Sequence, residues 1–119
     1  MGALRRWLDR LTESDEARLS AEVREWADMV PGTTRLGDAP MRGKVKVAGV
    51  IKRITVFPMQ DHESLEAVVS DGTGAVTVVF MGRRGIGGLS LGTRVVVEGV
   101  VGEQRGTRKM INPLLEFSA

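Results

Sequence analysis

The feature that most constrains this chain is a change in the period of its apolar residues near Gly43. Before that residue, apolar side chains recur every three or four positions, which is the repeat of an amphipathic helix. After it the repeat becomes two, β-branched residues dominate, and glycine clusters separate short segments, which is typical of strands and turns. The sequence therefore predicts an N-terminal helical segment followed by a small β-domain.

The helical segment is expected over residues 1–30, before the turn formers Pro31 and Gly32. Its first apolar residues are Leu4, Trp7, Leu8 and Leu11. The row of apolar residues is interrupted for one turn at residues 12–16. One helix over the whole segment would also be about 40 Å long, which exceeds the width of a small domain, roughly 30 Å. This pattern predicts two helices or one kinked helix. Residues 31–42, rich in turn residues, are expected to be a linker.

The β-domain, residues 43–119, is expected to contain five strands. They are predicted at 44–57, 65–70, 75–81, 93–101 and 108–117. Gly49 and Gly99 lie inside the first and fourth strands, where a bulge or sharp coil lets a strand bend around a barrel corner. The glycine-rich run from Asp71 to Gly74 supplies the connection of a hairpin. Because an open sheet edge is a liability, we expect closure into a barrel.

Several local sequences within residues 43–117 are similar to those of a known family. The motifs are Val68-Val69-Ser70-Asp71-Gly72-Thr73-Gly74, the following apolar strand ending at Phe80, Leu91-Gly92-Thr93-Arg94-Val95-Val96-Val97-Glu98-Gly99, and Met110-Ile111-Asn112-Pro113. Together with the strand order, they resemble the wedge domain of RecG-type branch-migration helicases and anticodon-binding OB domains. The resemblance implies a mainly β chain with a five-stranded OB-fold barrel behind the helical segment.

The resemblance also implies binding of nucleic acid. The loop that follows the third strand departs from the wedge domain because residues 82–90 include no aromatic side chain. No helicase motor is expected after the fifth strand, so the resemblance does not imply that this chain separates nucleic-acid strands. Binding is the part of the family's activity that the resemblance supports.

Basic side chains surround three of the predicted loops. The chain has a formal net charge of +2, and residues 37–119 hold eleven lysines and arginines against eight acidic residues. The basic residues near loops are Arg53, Arg83, Arg84, Arg105, Arg108 and Lys109. If the three loops converge on one face, these side chains can contact a phosphate backbone.

Aromatic side chains, on which single-stranded bases stack, are scarce in this chain. Trp7 and Trp26 lie on the helical stripe, Phe80 alternates with inward-facing valines, and Phe117 closes the last strand. A core position is expected for these four residues. Phe57, at the mouth of the loop between the first two strands, is the candidate for stacking.

No catalytic residue, metal site or cofactor site is assigned. The chain has no cysteine, which excludes disulfides and cysteine-ligated zinc and fits a cytoplasmic protein. The sole histidine, His62, stands between Asp61 and Glu63 in a polar loop, and no further acid–base partner can be assigned to it. Asp71 is expected to form a turn. Neither an export signal nor a run near the roughly 18 apolar residues of a membrane span is expected.

The sequence therefore predicts a small non-enzymatic protein, without cofactor, that binds single-stranded or forked DNA or RNA mainly through basic loops of an OB fold. The expected site residues are Arg53, Phe57, Arg83, Arg84, Arg105, Arg108 and Lys109. An alternative function stays open, namely a protein–protein adaptor or a self-associating module. It rests on Trp7, Leu8 and Leu11, which exceed what one small barrel can cover.

Overall fold

The computed structural model describes residues 2–40, 42–58 and 63–118, and for residues 8–14 only the backbone. Within these residues lie an α-helix, α1 (Gly2–Met29), a 3-10 turn (Leu36–Asp38) and six strands. The strands are β1 (Gly43–Pro58), β2 (Glu63–Ser70), β3 (Ala75–Met81), β4 (Arg94–Gln104), β5 (Thr107–Ile111) and β6 (Leu114–Phe117). The predicted fifth strand is divided into β5 and β6 because Asn112 has a φ of 48° and Pro113 has no N–H to donate.

Five of the strands close into a ring. β1 pairs with β2, β2 with β3, β3 with β5, β5 with β4, and β4 with β1. The β3–β5 pairing is parallel and the others are antiparallel. The length of β1 makes this closure possible, because residues 43–50 pair with β4 and residues 50–58 pair with β2. This is the strand order of the OB fold, so the predicted five-stranded OB barrel is confirmed.

Alternate residues of the ring strands fill the barrel interior. The buried residues that these strands contribute are Val45, Val47, Ile51, Leu65, Ala67, Val69, Val76, Val78, Phe80, Val95, Val97, Val101 and Met110. Full burial of one such aliphatic side chain stabilises the fold by about 1.5–3 kcal/mol. The intervening residues face outward, and the strand register decides which of them are neighbours on the surface.

The second half of α1 packs on the outside of the barrel, where β1 pairs with β4. Ala27 contacts the outward pair formed by Ala48 and Val96, and the Arg94 guanidinium lies 4.9 Å from the centre of the Trp26 ring. Residues 2–7 and 15–19 are exposed. The first half of the helix is not laid across the barrel, so the width of the domain does not limit its length. This is why one helix of 28 residues can span the predicted helical segment. Within the described residues, no helix combines the length and the apolarity needed to cross a membrane.

A buried carboxylate joins the segment before β1 to the β2–β3 hairpin. Asp71, 2% exposed, accepts hydrogen bonds from the backbone N–H groups of Leu36 (2.7 Å), Thr73 (2.8 Å) and Gly74 (3.1 Å) and from the Thr73 hydroxyl (2.6 Å). The Thr73 oxygen in turn accepts from the N–H of Gly37 at 2.9 Å. Leu36, expected in a linker, is fully buried in the barrel core. Asp71 forms the expected turn and also holds this segment against the barrel.

Replacing Asp71 with alanine should lower the free energy of unfolding by about 3 kcal/mol, because three backbone N–H groups and a hydroxyl lose a charged acceptor. Urea unfolding followed by circular dichroism measures the change. Asp38→Ala is the control, since Asp38 is an exposed aspartate in the 3-10 turn whose Leu36 contacts Asp71. A surface change of this kind alters stability by about 0.5 kcal/mol or less. Equal losses for the two variants would contradict the role given to Asp71.

Candidate nucleic-acid interface

Cross-strand partners of β1, β2, β3, β5 and β4 form one continuous surface that curves around the outside of the ring, and we call it the outer face. Its first row contains Arg53, Val68, Thr77, Lys109 and Gly102. The second row contains Thr55, Glu66, Val79 and Ile111, and the third contains Phe57, Ser64 and Met81. Three strand spacings of about 4.8 Å separate Arg53 from Lys109, a path of roughly 14 Å measured along the curved sheet.

Three of the predicted site residues lie on this outer face. Arg53 is exposed, and Phe57 is 45% exposed at the end of β1. Lys109 is half-buried, with its Nζ 3.8 Å from Oε1 of Glu66. A partly exposed ion pair contributes about 0–1 kcal/mol. A phosphate can therefore replace the Glu66 carboxylate as the partner of Lys109 at little cost.

Arg105 occupies the two-residue turn between β4 and β5. Its φ is 54° and that of Gly106 is 77°, the combination that a type I′ turn requires. Asparagine followed by glycine is the preferred pair in such a turn, and an arginine in the left-handed region costs roughly 1 kcal/mol or more. The side chain is exposed, and the turn precedes Lys109 at one end of the outer face. This turn position therefore holds an arginine although its backbone conformation favours asparagine.

Arg83 and Arg84 follow β3 but have different surroundings. The Nε of Arg84 lies 2.6 Å from Oε2 of Glu63, and no N–H is aligned on that oxygen, so the contact is an ion pair and not a hydrogen bond. The Arg84 side chain is 82% exposed. Arg83 lines a separate groove with Phe80 and Phe117, beside β6. The structure therefore does not bring these two arginines together with Arg53 and Lys109 in one row.

Arg108 lies on the opposite side of β5 from Lys109. It alternates with Lys109 and shares its side of the strand with Met110, which is fully buried in the core. The Arg108 side chain is half-buried, and its Nη2 donates to the carbonyl of Ala39 at 3.4 Å. The sequence groups Arg108 with Lys109 because both lie next to the loop before the fifth strand. β5 begins at Thr107, so the strand alternation separates the two side chains.

The aromatic residues divide between core and surface differently from the prediction. Phe80 is buried in the core, as predicted, and Trp26 packs beside Ala27 under the helix. The core positions expected for Trp7 and Phe117 are wrong, because these residues are 57% and 47% exposed. Trp7 lies in the half of α1 that does not pack on the barrel, and Phe117 lies on β6, outside the ring.

Some predicted features lie outside the described residues. These are the loop tip 59–62, with Asp61 and His62, and the side chains of Leu8 and Leu11. Within the described part, sequence reasoning missed the residues between Arg53 and Lys109, namely Val68 and Thr77. Each alternates with core residues in its own strand, but only the register across four strands shows that they form one row with the two basic residues.

Comparisons with known proteins agree with this fold. No protein-family model matches the chain, and no curated protein matches it. A structure of RecG bound to a three-way DNA junction matches with a TM-score of 0.59 and 22% identity, over 72% of this chain and 12% of that chain. A replication protein A heterotrimer bound to single-stranded DNA matches with a TM-score of 0.53 and 17% identity, over 75% and 67% of the respective chains. This chain is therefore similar to both in fold, and the fold that it shares with them is the OB fold.

Proposed function

We propose that this protein binds single-stranded DNA or RNA, including the single strand of a fork, along the outer face. The observation that carries the proposal is the row that joins Arg53 to Lys109, with Phe57 two rows away on the same face. Proteins that bind single strands combine cations for the phosphates with an apolar or aromatic surface for the bases. The two structures of similar fold, which are described as bound to a DNA junction and to single-stranded DNA, support the proposal.

Each predicted site residue has a role in this proposal except Arg108. Arg53 and Lys109 take phosphates on the outer face, Phe57 stacks on a base at one end, and Arg105 takes a phosphate at the other end. Arg83 and Arg84 meet the strand where it leaves the face beyond β3. Arg108 contacts Ala39 at the end of the barrel and stabilises the fold instead.

The protein is proposed to act by binding alone, in the cytoplasm. The groups gathered on the outer face are cations, an aromatic ring, hydroxyls and aliphatic side chains, which suit recognition. The carboxylate in its second row, Glu66, is paired with Lys109. A general acid or base needs a partner within hydrogen-bond reach of a reacting group, and these side chains form no such constellation.

Arg53→Gln and Lys109→Gln should each reduce the slope of log affinity against log salt by about 0.7, because each removes one phosphate contact to a single strand. Fluorescence anisotropy of a labelled ten-nucleotide single-stranded DNA over a range of salt concentrations measures the slope. Arg18→Gln is the matched control, since it removes the same charge from an exposed position on α1. If the two variants have the same salt slope as Arg18→Gln, Arg53 and Lys109 do not contact phosphates.

Arg105→Asn should raise stability while it weakens binding. Asparagine suits the type I′ turn, so the free energy of unfolding should rise by about 0.5–1 kcal/mol. The loss of one phosphate contact should lower the salt slope by about 0.7. Thermal unfolding measures the change in stability, and the same anisotropy titration measures the change in salt slope. A more stable variant with unchanged binding would remove Arg105 from the interface.

A second candidate function, self-association, is favoured by the exposed apolar residues of α1. Leu4 is 62% exposed, Trp7 57% and Leu19 54%, and they lie in the two exposed stretches of the helix, residues 2–7 and 15–19. Residues 2–10 carry three arginines and one acid, whereas residues 11–22 carry four acids and one arginine. Antiparallel pairing with a second copy opposes these unlike charges, and parallel pairing opposes like charges. We therefore propose an antiparallel pair of α1 helices as the form of association.

The double variant Leu4→Glu, Trp7→Glu should be a monomer where the wild type is a dimer, because two buried charges would replace the apolar contact. Sedimentation velocity at about 50 µM protein measures the state. Leu91→Glu is the control, since Leu91 is 67% exposed in a loop of the barrel. High salt should weaken an antiparallel dimer. A monomeric wild type, or a dimer strengthened by salt, would contradict this geometry.

A further inference from the structure

Two adjoining recesses lie on the β4–β5 hairpin beside Lys109. The larger is a groove of about 490 Å³, and it is lined by Val100, Gly102, Glu103, Gln104, Lys109 and Ile111. The smaller has a volume of about 220 Å³, and it is lined by Gln104, Arg105, Thr107 and Lys109. Because Gln104 and Lys109 line both, the recesses are two parts of one depression at the end of the outer face.

The larger groove exists because residue 102 has no side chain. Gly102 is the register partner of Lys109, and a Cβ built on it would meet nothing nearer than the Lys109 carbonyl oxygen at 4.0 Å. Val100 and Ile111 form the apolar walls and are 66% and 56% exposed. Glycine weakens a strand, and in strands it often marks a close approach by a ligand. Any larger residue at position 102 would occupy this space.

The two recesses offer different chemistry. The groove presents aliphatic walls, with the Gln104 amide at its end, which can donate to and accept from the polar edge of a base. The smaller recess presents the Arg105 guanidinium and the Thr107 hydroxyl, which are donors to phosphate oxygens, and the Lys109 side chain lines it while its ammonium pairs with Glu66. A flat apolar group with a polar edge, joined to an anion, is the chemistry of a nucleotide.

We propose that this depression is a subsite for one unpaired nucleotide, with the base in the groove at Gly102 and the phosphate in the recess at Arg105. The inference rests on the proposed function and deepens it, because it specifies the ligand. A base inside a duplex is stacked on both faces and must leave the stack to enter such a pocket. The subsite therefore selects a single strand. In this subsite, Val100 and Ile111 contact the base in place of aromatic side chains, which are scarce in this barrel.

Gly102→Val tests the subsite by filling the groove. Position 102 is open and lies in a strand, where valine is favoured, so the fold should be retained and thermal unfolding verifies it. The probes are a labelled ten-nucleotide single-stranded DNA and an abasic strand of the same length, which keeps the phosphates and lacks the bases. The variant should bind the normal strand about fivefold more weakly. Its affinity for the abasic strand and its salt slope should equal those of the wild type.

The double variant Val100→Thr, Ile111→Thr removes the apolar walls without filling the groove, and it should show the same selective loss. It decides the question if Gly102→Val does not fold. Leu19→Thr, on α1, is the control for removal of an exposed aliphatic side chain. If the wild type binds the normal strand and the groove variants bind it equally well, the subsite is wrong and the proposed function stands. A wild type that binds neither strand overturns the proposed function, and the subsite with it.

Discussion

The carboxylate of Asp71 is the contact on which the rest of the structure depends. Three backbone N–H groups and a hydroxyl donate to it, and one of those N–H groups belongs to Leu36, 35 residues away. These hydrogen bonds stabilise the β2–β3 turn and hold Leu36 in its buried position at the end of the barrel. The hairpin turn fixes the register of its strands, and a slip by one residue would move every side chain to the other face. Val68 and Thr77 face outward, between Arg53 and Lys109, because that register is held.

In the proposed function, the outer face lets an OB barrel with few exposed aromatic residues hold a single strand. Its cations are spread along one row of the sheet, and its apolar surface is largely aliphatic. Contacts of this kind depend on salt and carry little preference for sequence. The strained turn at Arg105 and the strand glycine at position 102 both cost stability. In the proposed subsite, both residues lie where the nucleotide binds, so the lost stability is offset by contact with the ligand.

Much of the fold could be predicted from the sequence, because its signals are local. The period of two, the glycines within β1 and β4 and the Asp71-Gly72-Thr73-Gly74 turn each specify structure within a few residues. The errors concern long-range packing. The burial of Leu36 depends on a distant carboxylate. Arg108 was grouped with Lys109 because both lie near a loop, although neighbouring residues of a strand face opposite sides. The groove at Gly102 depends on its cross-strand partner, which no local pattern reveals. The binding roles of the site residues stay predictions.

The central claim is that a single strand lies along the outer face, and an NMR titration tests it most directly. Uniformly ¹⁵N-labelled protein is titrated at low salt with a ten-nucleotide single-stranded DNA while backbone amide shifts are followed. If a single strand lies along the outer face, the largest shifts should fall in residues 53–57, 64–68, 77–81 and 100–111, and the amides of Ala27, Ala48 and Val96, under α1, should stay unchanged. Shifts confined to α1 and the strands beneath it, or no shifts at all, would contradict the account.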